Sequence, residues 1–205
     1  MNTRAGDAVR RALEGRQREA AEEVERILAA AVRVMERVAP QTPRISDIVA
    51  EAGTSNKAFY RYFGGKDDLV LAVMESGVGR LASYLEHQMA KEDTPAGRIT
   101  RWIEGVMLQA ADPGVASASR AALTQLSVAG DRWMVDPGMT APLRELLMGP
   151  LTEVGSADPR RDGAAVFEVV FGTMRRHLAG GTRPEPGETE HLVRFCLNAV
   201  TPPQP

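Results

Sequence analysis

Apolar positions along this chain recur at three- and four-residue intervals, and no segment shows sustained alternation of β-branched residues, so the pattern predicts an all-α protein. From Arg18 to Val38 the inward stripe is Ile27, Ala30, Ala31, Val34 and Val38, and Pro40 ends the helix. Thr42 with Pro43 reads as an N-cap followed by proline at the first helical position. A short second helix places Ile45, Ile48, Val49 and Ala52 at i, i+3, i+4 and i+7. Gly53 follows at once, where a helix end accepts a left-handed residue. Thr54 or Ser55 can cap a third helix, Asn56 to Phe63, through a side-chain oxygen. On that helix Phe59 and Phe63 share one side, and Asn56, Lys57, Tyr60 and Arg61 share the other.

A fourth helix starts at Gly65–Lys66, with Asp67 and Asp68 in its first turn, and runs to about Ala90. Its length carries it out of the N-terminal region into the remainder, so it can transmit movement between the two. Lys91–Pro95 is a polar break, and helices are predicted over Ala96–Ala111 and about Val115–Val128. Asp131–Gly138 carries Trp133 and a proline and reads as irregular. Ala141 to about Val154 is helical, with a bend expected near Gly149-Pro150. Asp158-Pro159 opens a helix that lasts to Ala179, where Gly180-Gly181 stops it. A last helix covers Glu188 to Val200, before Thr201-Pro202-Pro203. The domain reading is a flexible basic arm at 1–17, a head of short helices at 18–66 and a larger helical domain at 67–205.

Charge sharpens this division. Residues 1–66 hold 12 Lys and Arg against 9 Asp and Glu, whereas the remainder is acidic enough to bring the whole chain to −2. A basic head on an acidic body fits a protein whose head alone meets DNA. Arg4, Arg10, Arg11, Arg16 and Arg18 are available to phosphates, or form an ordinary solvated face. A single cysteine, Cys196, excludes an intrachain disulfide, and it reads as a structural thiol in an apolar helix. With no membrane-length apolar run and no apolar signal core, the expected location is the cytoplasm. Enzyme signatures are missing: no glycine-rich strand-to-helix turn, no G-x-S-x-G and no HExxH. His87, His177 and His191 lie far apart and read as packing or surface residues. No enzyme activity, cofactor or metal is expected.

The third helix carries the clearest chemistry. Amides and cations bond base edges, and hydroxyls and cations hold phosphates. Its outer face of Asn56, Lys57, Tyr60 and Arg61 supplies an amide, two cations and a phenol. The segment RISDIVAEAGTSNKAFYRYFGGKDDL resembles the helix-turn-helix of the TetR family of transcriptional regulators. Asp47, Ile48, Ala52, Gly53, Ser55, Phe59, Tyr60, Tyr62, Phe63, Lys66 and Leu69 stand in register with that family's pattern. Val49, Thr54, Lys57 and Gly64-Gly65 depart from it, and Lys57 adds a long cation at the helix tip.

The resemblance implies a three-helix DNA-binding domain followed by a helical ligand-binding and dimerisation domain, about nine helices in all. It implies a homodimeric, ligand-responsive repressor on a palindromic double-stranded operator, released by a small apolar or aromatic molecule. The alternative is a DNA-binding adaptor or architectural protein whose body binds another protein. Asn56 and Lys57 are assigned to base edges, and Arg44, Thr54, Ser55, Tyr60, Arg61, Tyr62 and Lys66 to phosphates. Candidate pocket residues are Trp102, Met107, Gln125, Trp133, Met134, Phe171 and Met174, with Arg101 and Thr173 as further polar groups. The helix containing Phe167, Val170, Phe171, Met174 and Leu178 is apolar on a second side at Ala165, Val166 and Val169, which calls for two partners. Phe167, Val170, Leu178, Leu192, Phe195 and Ala199 are therefore the candidate dimer interface.

Overall fold

The computed structural model describes residues 4–129 and 138–201. Among them are nine α-helices and no strand: α1 (Arg4–Val38), α2 (Ile45–Glu51), α3 (Asn56–Tyr62), α4 (Lys66–Met89), α5 (Pro95–Ala111), α6 (Pro113–Ala129), α7 (Ala141–Glu153), α8 (Pro159–Gly180) and α9 (Glu188–Val200). The chain divides into two compact units, Met1–Val73 and Met74–Pro205. The division falls inside α4, seven residues beyond the boundary read from the sequence at 66. A continuous helix gives no composition signal for where one core ends and the next begins.

In the first unit α2 packs against α1 and α3 against α2. The core is Ile27, Ala30, Ala31, Val34 and Met35 of α1, Ile48 of α2, Phe59 of α3 and Leu69 of α4, all fully buried. Four of the five positions that periodicity predicts for the α1 stripe are thus buried, while Val38 is half-buried and Met35 takes the last place in the core. Glu51 at the end of α2 accepts from Arg33 Nε at 2.9 Å and Arg37 Nη1 at 3.1 Å, which fastens α2 to α1. Residues 4–17 correct the expected flexible arm: they continue α1 as helix. The stretch contains no proline, and Arg10 pairs with Asp7 one turn away at 2.6 Å. The Thr42 cap is also corrected, since α2 begins only at Ile45 and Arg44 is its N-cap, without a side-chain cap bond.

In the second unit α5 is the central helix, packed against α6, α7, α8 and α9. Ile99, Trp102, Ile103 and Val106 are fully buried on it. Trp102 donates its indole N–H to the Leu143 carbonyl of α7 at 2.9 Å, so the largest core side chain also satisfies its polar atom. Asp112 ends α5 and starts α6, accepting from the Gly114 N–H at 2.7 Å. Pro113 therefore opens α6, two residues before the start expected at Val115. Pro150 lies within α7 and is buried. Gly181, in the left-handed region at φ 64°, terminates α8. His177, read from sequence as an isolated histidine, is buried at the end of α8. Its ring contacts Thr182 Oγ1 at 2.9 Å and the Glu188 carboxylate at 3.0 Å, tying the α8–α9 loop to both helices.

Trp102→Phe keeps most of the apolar volume and removes the indole donor. It is expected to destabilise the second unit by about 1–3 kcal/mol through the lost buried hydrogen bond. Urea unfolding followed by far-UV circular dichroism measures this.

Candidate nucleic-acid interface

Two short-range devices set α3 in place. Gly53 adopts φ 64°, which lets the chain reverse after α2. Ser55 is the N-cap of α3, accepting from the Ala58 N–H at 3.1 Å. Of the two residues the sequence offered as cap, Ser55 fills the role and Thr54 does not. Phe59 is fully buried and Phe63 nearly so. With seven residues in α3, that choice of inner face leaves Asn56, Lys57, Tyr60 and Arg61 exposed. Tyr60 is 59% exposed although it is aromatic, and its ring meets Phe59 edge-on at 5.2 Å between centroids. Among the described residues no side-chain hydrogen bond or ion pair engages Asn56 or Lys57. Both are free to meet base edges, the role assigned to them.

The residues assigned to phosphates divide into two groups. Arg44, Ser55 and Tyr60 are exposed, and Lys66 is half-buried. Lys66 borders a recess of about 420 Å³ lined by Gly64 to Asp68. Two acids share that recess, and Asp68 accepts the Gly64 N–H at 2.8 Å. The second group converges on α1. Thr54 Oγ1 donates to Glu23 Oε1 at 3.0 Å, and Arg61 Nη2 and the Tyr62 hydroxyl donate to Glu23 Oε2 at 2.5 and 2.8 Å. The Arg61 guanidinium also lies 4.7 Å from the Tyr62 ring centre. The Tyr62 and Thr54 hydrogen bonds hold the Glu23 carboxyl below its usual range, with the charges of Arg61 and Arg26 adding to the effect. The same bond raises the Tyr62 phenol. Sequence reading missed Glu23 because its partners are 31 to 39 residues away. On α1 it looks like any other solvated acid.

The body places the remaining candidates. Trp102, Met107 and Met174 belong to one buried apolar cluster, and Phe171 packs against it. Phe171 stacks on Phe167 with centroids 4.8 Å apart, and Trp102 lies 6.3 Å from Phe167. Arg144 covers the Phe167 ring at 4.8 Å. Gln125 and Thr173 are buried, and Thr173 donates to the Val169 carbonyl in its own helix at 2.8 Å. Arg101 corrects its assignment: it points outward and pairs with Glu92 at 2.7 Å and Glu104 at 3.0 Å. Trp133 and Met134 lie outside the described residues. Burial pushes the Cys196 thiol up. Among the described residues no group of three His, Cys, Asp or Glu side chains could hold a metal, and no helix is long and apolar enough to cross a membrane.

The interface candidates need a correction. Phe167, Val170, Leu178 and Leu192 are buried inside the subunit and cannot meet a partner. They form the inward stripe of α8 and α9, which packs on α5. Phe195 and Ala199 are exposed, and Val169 and Gly172 of α8 are exposed as well. Of the second apolar side of α8, Ala165 and Val169 are exposed and Val166 is buried, so that side was legible in part, while the named interface residues came mostly from the first.

Known proteins resemble both the head and the whole. The family described as bacterial regulatory proteins, tetR family, matches residues 27–73. The transcriptional regulator BetI of Brucella anthropi is 33% identical over 73 residues, 36% of this chain, and the chain covers 38% of that relative's length. A candidate TetR-family regulator from Mesorhizobium loti MAFF303099 shares the fold at a TM-score of 0.66 and 17% identity, over 88% of this chain and 96% of that one. FadR from Bacillus subtilis, solved in complex with stearoyl-CoA, does so at a TM-score of 0.62 and 18% identity, over 86% and 97%. Helix order, the Ser55-capped α3 and the matched head agree: residues 27–73 match the N-terminal domain of the tetR family of bacterial regulatory proteins, and the chain as a whole shares the fold of the solved regulators.

Proposed function

We propose that the protein is a ligand-responsive transcriptional repressor that binds a palindromic operator as a homodimer in the cytoplasm. The observation that carries the reading is the outer face of α3, where Asn56 and Lys57 stand exposed beside Tyr60 and Arg61. Asn56 and Lys57 read base edges in the major groove. Arg44, Ser55, Tyr60 and Lys66 take phosphates, and Thr54, Arg61 and Tyr62 contribute as far as Glu23 releases them. Two copies of the head then meet successive major grooves about 34–36 Å apart.

The exposed apolar side of α8 and α9 supplies the dimer face. Phe195 is 53% exposed and Val169 39%, with small Gly172 and Ala199 beside them. Large apolar groups left in water on adjacent helices suit a self-complementary two-fold contact. Sensing belongs to the second unit, whose aromatic and methionine side chains suit an apolar or aromatic ligand. The fold shared with FadR, which was solved with stearoyl-CoA, supports a ligand in this unit. Ligand and operator then oppose each other by one coupling energy.

Lys57→Ala is expected to change base preference within each half-site, at about 1–3 kcal/mol per lost bidentate contact. Lys66→Ala is expected to weaken all sequences alike and flatten the salt dependence by about 0.9 in log–log slope. Selection of bound duplexes from a random library, followed by titrations at two salt concentrations, measures both. Equal, sequence-blind losses would remove Lys57 from base reading.

Phe195→Glu is expected to give a folded monomer where the parent sediments as a dimer at micromolar concentration. A parent that is itself monomeric contradicts the dimer. Compounds that quench tryptophan fluorescence are expected to release the selected duplex, and the duplex to weaken their binding by the same factor. If no compound affects DNA binding and a protein partner does, the adaptor reading takes its place.

A further inference from the structure

Glu23 stands where a DNA phosphate is expected. Thr54, Arg61 and Tyr62 carry a hydroxyl, a guanidinium and a phenol, the donor types that hold phosphate oxygens. All three aim at the Glu23 carboxylate, at 3.0, 2.5 and 2.8 Å. One oxygen takes Thr54 and the other takes Arg61 and Tyr62, as two oxygens of a phosphate would. A phosphate entering this cluster meets a like charge at contact distance, so the two anions compete for the same donors.

The members of the cluster differ in freedom. The Arg61 side chain is 59% exposed and sits on the solvent side of α3, whereas the Glu23 side chain is 19% exposed. Tyr62 and Thr54 are half-buried. Arg61 can therefore turn to a phosphate without disturbing the core. Glu23 then keeps two hydroxyl donors and the nearby charge of Arg26, so the departure leaves no orphaned carboxylate. Asn56 and Lys57 make no bond to Glu23, so the competition does not touch the base-reading pair.

We propose that Glu23 sets the overall DNA affinity of the head. It occupies the anion site formed by Thr54, Arg61 and Tyr62, competes with DNA phosphate for Arg61, and so lowers affinity for all duplexes without weakening base readout. Because the reduction is sequence-blind, operator and non-specific binding fall together and their ratio is left to the base-reading pair, so Glu23 adjusts how tightly the head holds any duplex and how steeply that hold depends on salt. The proposal rests on the DNA-binding reading of the head.

The test uses the full-length protein, a fluorescent random-sequence 30-bp duplex and salt from 50 to 200 mM. Wild type, Glu23→Gln, Arg61→Ala and the double variant are compared, with folding checked by thermal melts. Gln at position 23 keeps an acceptor for Tyr62 or Thr54 and removes the charge. Glu23→Gln is expected to bind the duplex roughly 3- to 10-fold more tightly, with a log–log salt slope steeper by about 0.9, one phosphate's worth. The gain is expected to vanish in the Arg61→Ala background. A folded Glu23→Gln protein that binds equally or more weakly, with unchanged slope, would overturn the proposal and leave Glu23 as a positioning residue for α3. Arg61→Ala alone gives a second reading that does not depend on Glu23→Gln folding. It is expected to flatten the slope, and an unchanged slope means Arg61 does not reach phosphate. If all four proteins fold and bind no duplex at 50 mM salt, the DNA-binding reading itself falls.

Discussion

A seven-residue helix cannot hold itself in water, because nucleation costs more than so few backbone bonds return. Helix α3 therefore depends on burying Phe59 and, beside it, Phe63. Burial of a phenyl ring is worth about 1.5–3 kcal/mol, and the Ser55 cap adds about 1 kcal/mol. Two rings four residues apart admit one rotation of the helix about its axis. That rotation turns Asn56, Lys57, Tyr60 and Arg61 to solvent together. The candidate interface is thus the complement of a packing requirement, and it is held by the α1 and α2 side chains that bury beside it.

The same helix is anchored electrostatically by a residue that takes up donors on its outer face. Glu23 orders Thr54, Arg61 and Tyr62 against α1 and pairs with a cation on the exposed face of α3. Arg33 and Arg37 spend their charge on Glu51 in a parallel arrangement that ties α1 to α2. Several of the head's basic residues thus hold its helices together, and the excess of cations in residues 1–66 overstates what DNA can use. Exposed pairs of this kind contribute little stability each. Their larger effect is on which charges remain free.

In the body, α5 carries the core and α8 lies against it with a second apolar side left over. Trp102 shows how an apolar reading and a polar atom are reconciled, since its N–H reaches a backbone carbonyl of α7. Its full burial, with that of Met107, makes these two side chains part of the packed interior. The half-buried Phe171, stacked on Phe167, remains the member of the candidate set nearest to the edge of the cluster.

Periodicity and breakers were enough for the helices, the two-part architecture and the face that α3 turns outward, because each rests on contacts within a few residues. Gly53, Ser55, Asp158 and Gly181 act locally, and their chemistry is visible in a short window. The continuation of α1 through residues 4–17 and the late start of α2 at Ile45 were misread where local signals competed. What only the tertiary structure decided involves distant partners. Glu23 meets residues more than thirty positions away, and His177 joins a loop to the following helix. Phe167, Val170, Leu178 and Leu192 face inward and Phe195 outward, although all five are equally apolar. Composition tells which side chains avoid water. Which of them find shelter inside one subunit depends on the order in which the helices pack, and that order is set by many weak contacts spread over the whole chain.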